Sequence, residues 1–267
     1  DKERRKPNGE KFDVLTDRMK EFYDPTVVMR ATDSSFYAPL RKKAFKEPQK
    51  VFTCSWSDFF IEEADEWRND AWEVIRKTPH LTYQILTKRP ERIKQCLPSD
   101  WGKGYKNVWL GVTIENQKAA NERISLFLDV PALVHFVSVE PQIGEVDLTQ
   151  CRSFVPGEYV YTVNALNGTE SCWNPSGPVY DIYHDEQLKS KIDWVIVGGE
   201  SGNDNGKYQY RPCNLDWVQK VLVDCQNYGT SVWVKQMGTH LAKEMRLKAR
   251  HGDDVSEWPD YLRVQRF

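Results

Sequence analysis

The chain has 267 residues, a formal charge of -2 and 40% hydrophobic residues, which suits one large α/β domain or two small ones. The near-neutral balance lends no support to nucleic acid as a partner, although it leaves room for a local basic face. No apolar run approaches the roughly 20 residues of a membrane span, and no signal-peptide pattern opens the chain.

The six cysteines, Cys54, Cys96, Cys151, Cys172, Cys213 and Cys225, never fall at CxxC spacing and are too sparse for a disulfide scaffold. A reduced, cytoplasmic protein is therefore expected.

Residues 1–50 read as a polar extension broken by Pro7, Pro25, Pro39 and Pro48, with a helix around Asp13–Tyr23. The opening at Asp1, without Met, points to a cut or processed start. From Val51 onward short apolar runs alternate with longer helical ones, the pattern of βαβ units and a parallel sheet. Strands are predicted at Lys50–Ser55, Thr82–Thr87, Val108–Thr113, Leu133–Val139, Trp194–Gly198 and Ser231–Lys235. Helices are predicted at Ala64–Lys77, Pro90–Gln95, Gln117–Leu128 and Leu215–Tyr228. In the first helix Trp67, Ala71, Val74 and Ile75 form a stripe suited to packing on a sheet. Residues 145–192, rich in Pro, Gly and Asn, break the rhythm and read as an insertion of turns and short strands, placed where it could cover a site. The stretch from His240 to the end is charged and is expected to pack outside the barrel. The whole, residues 1–267, reads as one parallel β/α-barrel domain of TIM-like, partial-barrel type.

In parallel β/α folds the reaction site gathers at the carboxyl ends of the strands. Here those ends read Cys54-Ser55-Trp56-Ser57-Asp58, Thr87-Lys88-Arg89-Pro90, Thr113-Ile114-Glu115-Asn116, Ser138-Val139-Glu140-Pro141, Gly198-Gly199-Glu200-Ser201-Gly202 and Lys235-Gln236-Met237-Gly238. Singly, each has a plain structural alternative: Asp58 as a helix cap, Arg89-Pro90 as a helix start, the glycine turn as a tight connection, the cations as an internal salt-bridge network. Six polar ends together favour a pocket. Glu115 and Glu140 are candidate acid–base partners with Lys88. Arg89, Arg211 and Lys235 are candidate ligands for an anionic substrate, and Asn116 and Gln236 stand beside them. His80 and His135 read as structural. No His/Cys cluster suggests zinc, and no Gly-x-Ser-x-Gly elbow surrounds Ser57.

Several of these stretches resemble a known group of proteins. They include Phe52-Thr-Cys-Ser-Trp-Ser-Asp-Phe-Phe60, Gln84-Ile-Leu-Thr-Lys-Arg-Pro-Glu-Arg92, Trp109-Leu-Gly-Val-Thr-Ile-Glu-Asn116 and Asp193-Trp-Val-Ile-Val-Gly-Gly-Glu-Ser-Gly202. Tyr210-Arg-Pro212 and Val234-Lys-Gln-Met-Gly238 add to them. The match runs from about Val51 to the C-terminus. The chain resembles a phage-associated, functionally uncharacterised family with a three-cysteine motif near its N-terminus, often encoded beside a three-Cys-motif partner protein. That family looks radical-SAM-like.

The resemblance implies a [4Fe–4S] cluster held by thiolates and S-adenosylmethionine as cofactor. Ser55, Ser57 and Asp58 would face that cofactor, with Thr113 and Ser138 lining the centre and Gly198, Gly199 and Glu200 at its polar end. It places the cluster cysteines ahead of the region matching Asp1, and none is present here, so no metal ligand is assigned within this chain. Two other classes stay open. One is a metal-independent barrel lyase or hydrolase using Glu115 or Glu140 with Lys88; the other is a non-catalytic module binding nucleic acid or protein.

Overall fold

A computed structural model describes residues 30–55, 57–154, 160–173, 183–187, 189–206 and 208–267. The helix expected at Asp13–Tyr23 lies outside them. Two short helices, α1 (Asp33–Phe36) and α2 (Ala38–Arg41), precede the first strand. Six strands then form one sheet: β1 (Gln49–Thr53), β2 (Leu81–Thr87), β3 (Val108–Thr113), β4 (His135–Val139), β9 (Trp194–Gly198) and β10 (Ser231–Gln236). All adjacent pairs are parallel and the spatial order, β1-β2-β3-β4-β9-β10, follows the chain.

The sheet is curled into a half-barrel. β1 and β9 stand four strand spacings apart, roughly 19 Å in a flat sheet. Yet the Lys50 ammonium on β1 lies 5.9 Å from the Trp194 ring on β9, and 4.6 Å from the Trp109 ring on β3. The expected TIM-like, partial barrel is thus seen as a six-stranded half-barrel.

Alternate residues of each strand face opposite sides. One set, including Ile85, Leu110, Val137, Val195 and Val232, is fully buried in the main core. It packs under α3 (Asp65–Lys77), α4 (Pro90–Cys96), α5 (Gln117–Leu128) and α6 (Leu215–Tyr228). The Asn116 and Asn214 side chains cap α5 and α6 by accepting from the Ala119 and Asp216 amides, and Gly229 closes α6 in the left-handed conformation that glycine adopts without a Cβ clash. The buried face of α3 carries Arg68, Trp72, Val74 and Ile75, whereas Trp67, expected on the stripe, is only half-buried. The reason is Trp72, whose ring packs on Phe59 and Trp101 and whose indole N–H reaches the Cys96 carbonyl at 2.9 Å.

Between β4 and β9 the crossover carries an antiparallel sheet in place of a helix: β5 (Cys151–Phe154), β6 (Val160–Asn164), β7 (Thr169–Trp173) and β8 (Tyr183–Gln187). It packs on the outer layer. The Asp147 amide donates to Gln117 Oε1 at 2.6 Å and the Arg152 amide to Asn121 Oδ1 at 2.9 Å, both on α5, while Lys220 of α6 pairs with Asp147. These contacts seat the described residues of the inserted sheet against the helix layer.

The C-terminal stretch does more than pack outside. After α7 (Gly238–Glu244), Trp258 and Leu262 join the core. Residues 264–266 then pair antiparallel along the outer edge of β10, through Val234 N to Val264 O at 2.8 Å and Arg266 N to Val232 O at 3.0 Å. Among the described residues no helix is long and apolar enough to cross a membrane.

Gly111 on β3 sits directly beneath the Phe136 ring, where an added Cβ would overlap ring carbons. Gly111→Ala should therefore destabilise the fold by about 1–3 kcal/mol, the usual cost of overpacking, read as a lowered urea midpoint at unchanged slope.

Candidate functional site

The strand ends do converge. The Ile143 amide donates to the Glu115 carbonyl and the Gln142 amide to the Gly198 carbonyl, both at 2.9 Å, tying the turns after β3, β4 and β9 together. The turns after β9 and β10 meet backbone to backbone. Gly199 N donates to Gln236 O at 3.2 Å, and a Cβ on Gly199 would strike Met237 O. Gln236 Nε2 completes this contact by donating to Gly199 O and Ser201 Oγ at 3.0 and 2.9 Å. Gly199 and Gln236 thus take part in turn-to-turn packing.

Four carboxylates lie around this mouth, each held by a cation. Asp58 accepts from Thr87 Oγ1 at 2.8 Å, from the Lys88 and Phe60 amides at 2.9 Å, and from Arg89 at 3.3 Å. Glu115 is held by Lys88 on one oxygen and by Arg123 Nη1 at 2.9 Å on the other. Glu140 receives Lys235 Nζ at 3.0 Å on both oxygens. Glu200 takes the Arg211 amide, Nε and Nη2 at 2.7, 2.8 and 2.6 Å.

The layering is consistent. The acids are the inner groups, with side chains 12% exposed for Asp58 and Glu115, 15% for Glu140 and 21% for Glu200. The cations are the outer ones, at 52% for Lys88, 45% for Arg89 and 54% for both Arg211 and Lys235. The Arg211 guanidinium is held charged first by Glu200 and further by the Glu115 charge, so the pairs on the two halves of the sheet feel one another.

Two of the acids are driven apart. Burial pushes the Glu115 carboxyl up, but its bonds to Lys88 and Arg123 and their charges outweigh that and leave it below the ordinary range. At Glu140 burial wins over the single Lys235 cation, and the carboxyl stands above the ordinary range. Such a split suits one group to carry a proton while its neighbour stays ionised.

A hollow of about 540 Å³ opens at the β1–β3 side of the mouth. Ser55, Ser57, Asp58, Lys88, Arg89 and Thr113 line it, together with Phe52 and Leu86. Ser138 is buried on the neighbouring strand. Asn116 Oδ1 caps α5 by accepting from the Ala119 amide at 3.0 Å. Asp58 is likewise saturated by hydrogen bonds, which makes it the staple between the first two strand ends. His80 bonds the Phe45 carbonyl at 2.7 Å and His135 the Val130 carbonyl at 2.8 Å, as structural residues do.

Some site residues are not marked by strand-end position. Arg123 lies within α5, on the face turned back toward Glu115 and the Thr113 carbonyl. Its signal in sequence is its place two turns after the Asn116 cap. Arg68 is buried inside α3 and binds the Phe59 and Ile61 carbonyls at 3.1 and 2.6 Å, fixing the loop that carries Ser57 and Asp58. Gln142 is fully buried with neither side-chain polar atom hydrogen-bonded; nothing in the sequence sets it apart.

Fold and site together define a parallel β/α half-barrel with an acid-and-cation mouth at its strand ends. The chain belongs to an uncharacterised family, described as protein of unknown function (DUF5131), which matches residues 4–258. Comparison with curated proteins and with solved structures gave no match.

The Lys235–Glu140 pair gives a pH-dependent test. Well below the ordinary carboxyl value of 4.5, Glu140 is protonated in both folded and unfolded chains, and Lys235→Met should cost little. As pH rises from there through the raised folded value, the unfolded chain loses its proton first. Stability then falls, and falls further in the variant, which lacks the cation. The expected extra loss at neutral pH is about 1–3 kcal/mol, less than for a fully buried pair because Lys235 is half exposed. Urea melts of both proteins across this pH range would show it.

Proposed function

We propose that this chain is the body of a radical S-adenosylmethionine-type enzyme whose reaction chamber is the mouth of the half-barrel. The observation that carries the reading is the set of charged pairs gathered at the carboxyl ends of six parallel, sequentially ordered strands, bearing the motifs that resemble such enzymes. The reading brings with it a complete barrel of that type, the phage association, a cytoplasmic location, the three-cysteine segment and the three-Cys-motif partner protein that the resemblance implies.

The residues described do not fit the iron–sulfur cluster itself. A cluster needs several thiolates at one place. Among the described residues no group of three or more His, Cys, Asp and Glu lies close enough to hold a metal. Burial also pushes the Cys96, Cys151, Cys213 and Cys225 thiols up, away from the thiolate. The proposal therefore takes the cluster ligands from outside the described residues and derives no step through the cluster.

This chain's own contribution is to bind and orient. The hollow has the volume of a small-molecule site. Ser55 and Ser57 offer hydroxyls, and Lys88 and Arg89 offer charge to a carboxylate. Glu140, whose carboxyl burial raises, and Glu115, whose carboxyl Lys88 and Arg123 lower, are the candidate acid–base pair.

The test is anaerobic reconstitution of the full-length gene product with iron and sulfide. Iron–sulfur absorbance and reductant-dependent release of 5′-deoxyadenosine from S-adenosylmethionine are expected. Absence of both overturns the reading, and turnover that survives air and chelator would point to the metal-independent lyase or hydrolase instead.

A further inference from the structure

The convex face of the sheet is sealed by helices, whereas the concave face is closed only in part, around the buried Phe136 and Trp194. The alternate residues that avoid the main core are only half-buried on several strands: Gln84 and Leu86 on β2, Trp109 on β3, Ile196 on β9 and Trp233 on β10. Phe52 on β1 is 50% exposed and lines the hollow below Lys88 and Arg89.

Large apolar and aromatic surface left in water at the middle of a sheet is costly at about 25 cal/mol per Å², and contiguous surface of this kind marks a binding groove. At the far end the groove has a floor. Phe267 stacks on Trp109 at 4.1 Å and meets Trp194 edge-on at 5.3 Å. The near end is the mouth, where the outermost groups are Lys88, Arg89, Arg211 and Lys235 and the acids lie beneath them. Glu63, at the lip of the hollow, is the opposing charge.

A hollow with the half-exposed Phe52 ring on its wall and lysine and arginine groups at its rim suits a flat heteroaromatic ring joined to a phosphate. Bases stack on exposed aromatic side chains whatever their identity, and phosphate oxygens take lysine and arginine donors. A negatively charged sugar acid would satisfy the rim but leave the wall bare, and an apolar ligand would do the reverse.

We infer that the substrate is a nucleotide, either free or within a single strand, with its base inside the half-barrel near Phe52 and its phosphate at the Lys88–Arg89 rim. The inference rests on the proposed reaction chamber only for the location of the site. A base within a strand would enter by leaving its stack, as in other enzymes that act on bases.

The test titrates the full chain with a fluorescein-labelled single-stranded oligonucleotide of mixed sequence, both without and with saturating S-adenosylmethionine, because the two ligands share the lining of one hollow. Nucleoside monophosphates serve as one competitor and heparin, a polyanion without bases, as the other. Phe52→Ala, at a half-exposed position, and Lys88→Gln, which leaves Glu115 paired with Arg123, are measured alongside.

Binding should weaken with salt. Phe52→Ala should weaken it by roughly five- to a hundredfold, the range of one lost base stack. Lys88→Gln should lower the salt slope by about one. Monophosphates that bind while the strand does not would support the free nucleotide as the source, and tight strand binding with poor monophosphate competition would support the polymer. No binding of either at low salt overturns the inference. So does strand binding that heparin displaces equally well and that Phe52→Ala leaves unchanged. A chain that binds nucleotide but never S-adenosylmethionine would retire the cofactor reading and keep this one; the opposite result would do the opposite.

Discussion

A carboxylate taken out of water is tolerated only where a cation and hydrogen bonds replace the lost solvent. Four such carboxylates sit at the carboxyl edge of this sheet, and their needs explain much of the structure around them. Each takes its partner from a different stretch of chain. Asp58 binds the end of β2, Glu115 binds Lys88 and the helix residue Arg123, Glu140 binds Lys235 on β10, and Glu200 binds Arg211 in the loop before α6. The Glu140–Lys235 pair spans the intervening β9 and ties the ends of β4 and β10 together. The curl of the sheet brings Lys50 over aromatic rings of β3 and β9 at the opposite end. Charge pairing thus joins the strands at one end and ring packing at the other.

The curl also explains why the two faces differ. The outer face is broad enough for four helices and the inserted sheet, and its residues are dry. The inner face keeps Trp109 and Trp233 half-buried and is partly closed by Phe267 of the C-terminal segment.

Much of this architecture is legible in the sequence, for a simple reason. Runs such as Val108–Thr113 and Trp194–Gly198 are apolar because they are covered by helices on one side and curl inward on the other, and their bounds agree residue for residue with the strands found. Gln117–Leu128 and Leu215–Tyr228 are equally plain, because each begins just after an asparagine cap.

What periodicity conveys poorly is choice among similar neighbours. Trp67 and Trp72 both fit a helix stripe, and only the position of Trp101 and the Cys96 carbonyl decides for Trp72. The site divides in the same way. The strand-end rule finds Lys88, Glu115, Glu140, Glu200 and Lys235, because the topology puts strand ends together. It cannot say that Asn116 is spent on a helix cap, that Gly199 serves contact with Met237, or that Arg123 reaches back from a helix. Those roles depend on neighbours far away in the chain.

The account turns on carboxylates whose surroundings separate them. A carbon-13 carboxyl titration of the folded protein, with assignments from single Glu→Gln variants, reads this most directly. Glu140 should titrate above the ordinary value of 4.5, with Glu115 and Glu200 below it. Three midpoints lying together at the ordinary value, as free surface carboxylates give, would contradict it.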